Sequence, residues 1–125
     1  MAGMVVLAAA CGGDEASTAS TATTSCASAE GSTLAIGADD PFSFTEACYT
    51  APAGDVTFDY TLVPGAEAFH DLVIEDVDVN EFKLFVNNGT RETSGTVNLK
   101  PGTYQLYCSI GTHRQDGMEA QLTVN

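Results

Sequence analysis

The chain has only two histidines, only four basic side chains and no apolar run long enough to cross a bilayer as a helix. Each shortage excludes something. Two histidines cannot furnish several metal centres, so an oxidase or reductase built on multiple histidine-rich sites is ruled out. Lys83, Arg91, Lys100 and Arg114 stand against seventeen acidic residues, a net charge of −13. Phosphate backbones and anionic lipid surfaces would repel such a chain, so nucleic acid is a poor partner. A basic protein, steered in by the acidic field, is the expected one, although an acidic surface also serves plain solubility. At 125 residues there is room for one domain and none for a second catalytic one. No 3.6-residue apolar stripe runs beyond two turns, which argues against a helical bundle. Met- or His-rich tracts, the usual equipment of metal-handling proteins, are also missing.

The N-terminus is set apart from the rest. Met1 to Cys11 is a short apolar run closed by the small residues Ala8, Ala9 and Ala10 before a cysteine. It resembles the end of a bacterial lipoprotein signal, which implies lipidation of Cys11 as the mature N-terminus. Two features depart from that pattern: no Lys or Arg precedes the run, and Leu7 lies one place further from the cysteine than usual. An ordinary secretory signal or an incidental cysteine therefore remain alternatives. In any case the segment is a targeting device rather than part of the fold. Residues 12–32 are rich in Ser, Thr, Ala and Gly and cannot bury enough apolar surface to offset their ordering entropy, so they are expected to form a flexible tether. Without Asp14, Glu15 and Glu30, the folded unit keeps fourteen acids against four bases, about −10.

From residue 33 to residue 125, short alternating runs are punctuated every eight to twelve residues by turn formers, the pattern of an all-β sandwich or barrel. Strands are predicted over 33–36, 42–44, 55–63, 69–75, 81–86, 95–99, 103–107 and 118–124. Asp40-Pro41, Pro52-Ala53-Gly54, Pro64-Gly65, Asn87-Asn88-Gly89 and Pro101-Gly102 separate them. Only between Val77 and Phe85 does a helical turn compete.

Both histidines fall where a metal site needs them. Near the C-terminus the order is Cys108-x4-His113-x4-Met118, with His70 far upstream. Side chains two apart in a strand share a face. His70 thus continues the series of Leu72 and Ile74, Cys108 that of Tyr104 and Leu106, and Met118 that of Ala120, Leu122 and Val124. Each lies at a strand end, where a core opens to its rim. A soft thiolate, two imidazoles and a weak thioether form the ligand set of a blue-copper electron-transfer site. Taken singly, a buried His or an inward Met is more often packing, and a Cys with three others present is open to a disulfide. It is the combination that points to copper.

Residues 33–125 resemble the cupredoxin family of small blue-copper proteins, which includes plastocyanin, auracyanin and rusticyanin. The resemblance is carried by 51–58 (APAGDVTF), 70–74 (HDLVI), 100–109 (KPGTYQLYCS) and the closing segment through His113, Met118 and Val124. It implies an antiparallel Greek-key β-sandwich holding one copper ion and shuttling single electrons between redox proteins, with a monomer expected. The ligands it implies are His70, Cys108, His113 and Met118, with the carbonyl of Phe69 able to approach the metal opposite Met118. Two positions depart from the family pattern. Asp71 stands where relatives often have Asn, directly after the first His ligand, bonded across to the residue beside the Cys, here Ser109. Gly111 stands in a loop where relatives often have Pro-Gly, and it is expected to restore an N–H near the thiolate. With Cys108 given to the metal, Cys26 and Cys48 are left as a pair able to bridge in an exported protein. The resulting expectation is a non-enzymatic electron carrier, tethered at the cell envelope or periplasmic, working with redox proteins such as a basic cytochrome. A copper carrier or storage protein is the alternative.

Overall fold

The computed structural model describes residues 25–125. Ten strands form: β1 (Ala27–Ser28), β2 (Thr33–Asp39), β3 (Ser43–Phe44), β4 (Cys48–Ala51), β5 (Gly54–Leu62), β6 (His70–Ile74), β7 (Leu84–Val86), β8 (Glu92–Leu99), β9 (Gly102–Tyr107) and β10 (Glu119–Val124). They make two sheets, one in the order β1-β4-β10-β9-β6-β7 and the other β3-β2-β5-β8. The β-sandwich is as the sequence pattern predicts. Its pairing is mixed rather than wholly antiparallel, because β1 with β4, β4 with β10, and β2 with β5 run parallel. Parallel neighbours cannot be joined by a tight turn, and each of these pairs is connected through at least one strand of the other sheet.

Alternation builds the core. Leu34, Ile36 and Ala38 of β2, Val56, Phe58, Tyr60 and Leu62 of β5, and Ala120, Leu122 and Val124 of β10 are all buried, while the residues between them are not. β6 is different, buried at every position from His70 to Ile74. Each large side chain so removed from water contributes roughly 1.5–3 kcal/mol. Gly37 permits one close approach, since a β-carbon there would lie 2.6 Å from Thr45 Cγ2 and 3.0 Å from Val63 Cγ1.

Two elements escape the sequence pattern. β1 and the Glu30–Thr33 bridge lie inside the stretch read as tether, so the folded unit starts before residue 33. Its cause is covalent and non-local: Cys26 and Cys48 form a disulfide, which holds β1 along β4. β4 is a four-residue strand whose only large inward side chain is Tyr49. Between Val77 and Phe85, tight turns anchored on the Asp78 carbonyl precede a short β7, so the helical alternative is not realised. The segment read as a signal, with Cys11, lies outside the described residues.

Candidate metal centre

The site forms at one pole of the sandwich, where β6 begins and β9 ends. Antiparallel pairing of Val73 with Tyr107 and Ile74 with Leu106 carries His70 toward the turn that follows Cys108. That turn spans 109–118 and leads into β10. At its neck the Cys108 N–H donates to the Met118 carbonyl (3.2 Å), and the Met118 N–H donates to the His113 carbonyl (3.0 Å). Three of the predicted ligand positions are thereby pinned through their backbones.

Side-chain donors of His70, Cys108 and His113 lie within 4.8 Å of one another. His70 and Cys108 are fully buried, and His113 is half-buried. The Cys108 sulfur is 3.5 Å from His113 Nδ1, and the two imidazole rings are 5.1 Å apart. Phe42 covers His113 at 5.0 Å between ring centres. Met118 is fully buried at the same neck.

One observation tests whether these residues suit a metal ion. His70 Nε2 faces the Asp40 carboxylate at 3.0 Å, whereas Nδ1 is buried with no hydrogen-bond partner at all. A buried nitrogen lone pair left unmatched costs on the order of 1–3 kcal/mol. Beside a thiol and a second imidazole, that orphaned atom fits a metal ligand, and S,N,N donors suit copper or zinc.

Electrostatics around the sulfur are distinctive. Burial pushes the Cys108 thiol up to about 11, against backbone N–H groups of Ile110 and Asp71 that favour the thiolate. The Asp71 N–H lies 3.4 Å from the sulfur. Gly111, in the same turn, has a backbone φ of +51° with open space around it. Asp71 is fully buried, and its carboxylate accepts from both the N–H and the hydroxyl of Ser109, which ties β6 to the turn after Cys108. Lys83 Nζ stands 3.7 Å from the same carboxylate. Tyr60, buried in β5, donates to the Asp71 carbonyl at 3.0 Å. Phe69 is exposed and packs edge-on against Phe85 at 5.5 Å.

Three participants carry no local sequence signal. Asp40 sits in a turn thirty residues before His70, and Lys83 belongs to the neighbouring β7 segment. Arg114 clamps the turn from outside, bonded to Glu75 (2.9 Å) and Glu119 (2.6 Å) with its guanidinium 4.0 Å over the Tyr107 ring.

No protein-family model matches the chain, and no curated protein matches it by sequence. Solved structures do. Auracyanin from the photosynthetic bacterium Roseiflexus castenholzii superposes with a TM-score of 0.65 at 18% identity, covering 78% of this chain and 98% of that one. Auracyanin A, a "blue" copper protein from Chloroflexus aurantiacus, gives 0.59 at 19% identity over 74% and 98%. Plastocyanin from Dryopteris crassirhizoma gives 0.55 at 23% identity over 74% and all of that chain. This is the cupredoxin fold. Within it, the strand ends that carry His70 and Cys108, and the turn that carries His113, arise from the alternation and pairing already described.

Proposed function

We propose that this protein is a mononuclear blue-copper protein that relays single electrons between redox partners outside the cytoplasmic membrane. The observation that carries the reading is the unpartnered, buried Nδ1 of His70 beside Cys108 and His113. Copper bound there would supply a one-electron couple between Cu(I) and Cu(II). Cys108 as thiolate, the imidazoles of His70 and His113 and the thioether of Met118 would hold it, with the Phe69 carbonyl as a further candidate oxygen donor. The hydrogen-bonded neck and the Asp71–Ser109 link hold these groups in place, which favours a small rearrangement between oxidation states. His113, half-buried under Phe42, is the proposed electron port.

The reading assigns no bound substrate and no enzymatic step. Net charge of −13 supports a basic redox partner such as a cytochrome, and the Cys26–Cys48 disulfide supports an oxidising compartment. A lipid on Cys11, if attached, would confine the carrier to the envelope. The test is direct. Cu(II) added to the metal-free protein should give an intense visible copper–thiolate absorption, which Cys108→Ser should abolish while the sandwich stays folded. Absence of that band in the unsubstituted protein would overturn the reading. Slow reversible loss of copper to a weak chelator, with sluggish redox exchange, would favour copper carriage instead.

A further inference from the structure

Asp40 lies in the turn between β2 and β3, yet its carboxylate is directed at the segment that delivers His70. Oδ2 accepts from the Glu67 N–H at 2.8 Å, and Oδ1 accepts from the Ala68 N–H at 3.2 Å. The same Oδ1 is 3.0 Å from His70 Nε2. Three donors from one short stretch thus converge on a single carboxylate. A neutral imidazole has one N–H and one lone pair, and the partner of one nitrogen decides the state of the other. An acceptor at Nε2 requires the proton to be there. The lone pair is then left on Nδ1, the atom that is buried without a partner.

We infer that Asp40 is a positioning residue of the metal centre: it locks His70 in the Nε2–H form, aims Nδ1 at the metal, and strengthens the imidazole as a donor to the more highly charged ion. A neutral carbonyl at the same place would serve the first two tasks alone. A carboxylate adds negative charge one ring away from the metal, and such outer partners raise ligand basicity and commonly change metal affinity 10- to 100-fold. Because the Asp40 side chain is 36% exposed, water screens part of that charge, so the lower end of the range is expected.

The inference rests on the copper reading only for its redox part. The tautomer is read on the metal-free full chain by nitrogen-15 NMR at pH 8.5, where free imidazole is neutral. The unsubstituted protein should show His70 protonated at Nε2 alone, and Asp40→Ala should show a detectable Nδ1–H population. After copper loading, Asp40→Ala should bind Cu(II) about 10-fold more weakly with a smaller loss for Cu(I). A tenfold change in their ratio corresponds to about 59 mV, so with some loss for Cu(I) as well the reduction potential should rise by less than that. Asp40→Asn keeps an acceptor but drops the charge, so it should hold the tautomer and still raise the potential. It also decides the matter if Asp40→Ala fails to fold. Unchanged tautomer in folded Asp40→Ala, or a potential unmoved in Asp40→Asn, would overturn the inference. Failure of the copper reading looks different: the unsubstituted protein would lack the copper–thiolate band while its tautomer remained measurable.

Discussion

Removing Lys83 should weaken the fold and lower the reduction potential together. Its ammonium lies 3.7 Å from a fully buried Asp71 carboxylate, and its own side chain is 45% exposed. At an effective dielectric of 20, two unit charges near 4 Å attract by about 4 kcal/mol. Nearly half of the lysine faces water, which brings the net coupling toward the range of exposed pairs, while Asp71 keeps it above that range. A coupling of about 1–2 kcal/mol follows. The assay is a double-mutant cycle with Lys83→Met and Asp71→Asn, followed by urea unfolding of the metal-free protein. With a slope near 1 kcal/mol per molar, Lys83→Met should move the midpoint down by about 1–2 M. The redox sign is separate. Losing the cation leaves net negative charge beside Cys108, which favours Cu(II) and lowers the potential, whereas Asp71→Asn should raise it. Coupling below about 0.3 kcal/mol, or potentials that move in the same direction, would refute the reasoning.

Four further outcomes are open to measurement. Replacing Cys26 and Cys48 by Ser opens a crosslink with a sequence separation of 22, for which chain entropy gives a loss of about 3 kcal/mol in denaturant unfolding. Gly37→Ala should cost about 1–3 kcal/mol in the same assay, because the short Thr45 and Val63 side chains must move aside. Cys108 is a thiol in the metal-free protein at neutral pH, its ionisation pushed up to about 11, so metal binding releases its proton. Below that value, affinity for Cu(II) or Zn(II) should rise roughly tenfold per pH unit from this group, as followed by competition with a chelator. Arg114→Ala removes two half-exposed ion pairs and a cation–π contact, and should lower stability by about 1–2 kcal/mol in thermal unfolding.

What the sequence revealed depended on whether a signal was local. β2, β5 and β10 follow from period-two alternation because each buries one face. The same parity put His70, Cys108 and Met118 on inward positions at strand ends. β1 has no alternation to read: two residues are held by a disulfide and a parallel neighbour, both set by residues some twenty positions away. β4 offers only Tyr49 and Ala51 as inward residues, too few to establish a period. Asp40 illustrates the deeper limit. In the chain it looks like turn punctuation before Pro41, and only the folded pole makes it the partner of an imidazole thirty residues away. Asp71 was legible because its neighbour is a predicted ligand, but its partner Lys83 was not.

The parallel run of β1, β4 and β10 has a practical corollary for attachment. Ala27 is level with Tyr49, and Tyr49 with Leu122, so the polypeptide enters β1 from the end at which β10 starts, beside Met118. Asn125 sits at the opposite end, bonded to Ala51 and Ala53. A bulky fusion joined upstream of β1 would therefore reach the sheet edge from the side of the His113 pole and share the approach to that pole, unlike one joined at Asn125. Immobilisation through the C-terminus would leave that approach open, and an electrode should exchange electrons faster with a protein mounted that way round.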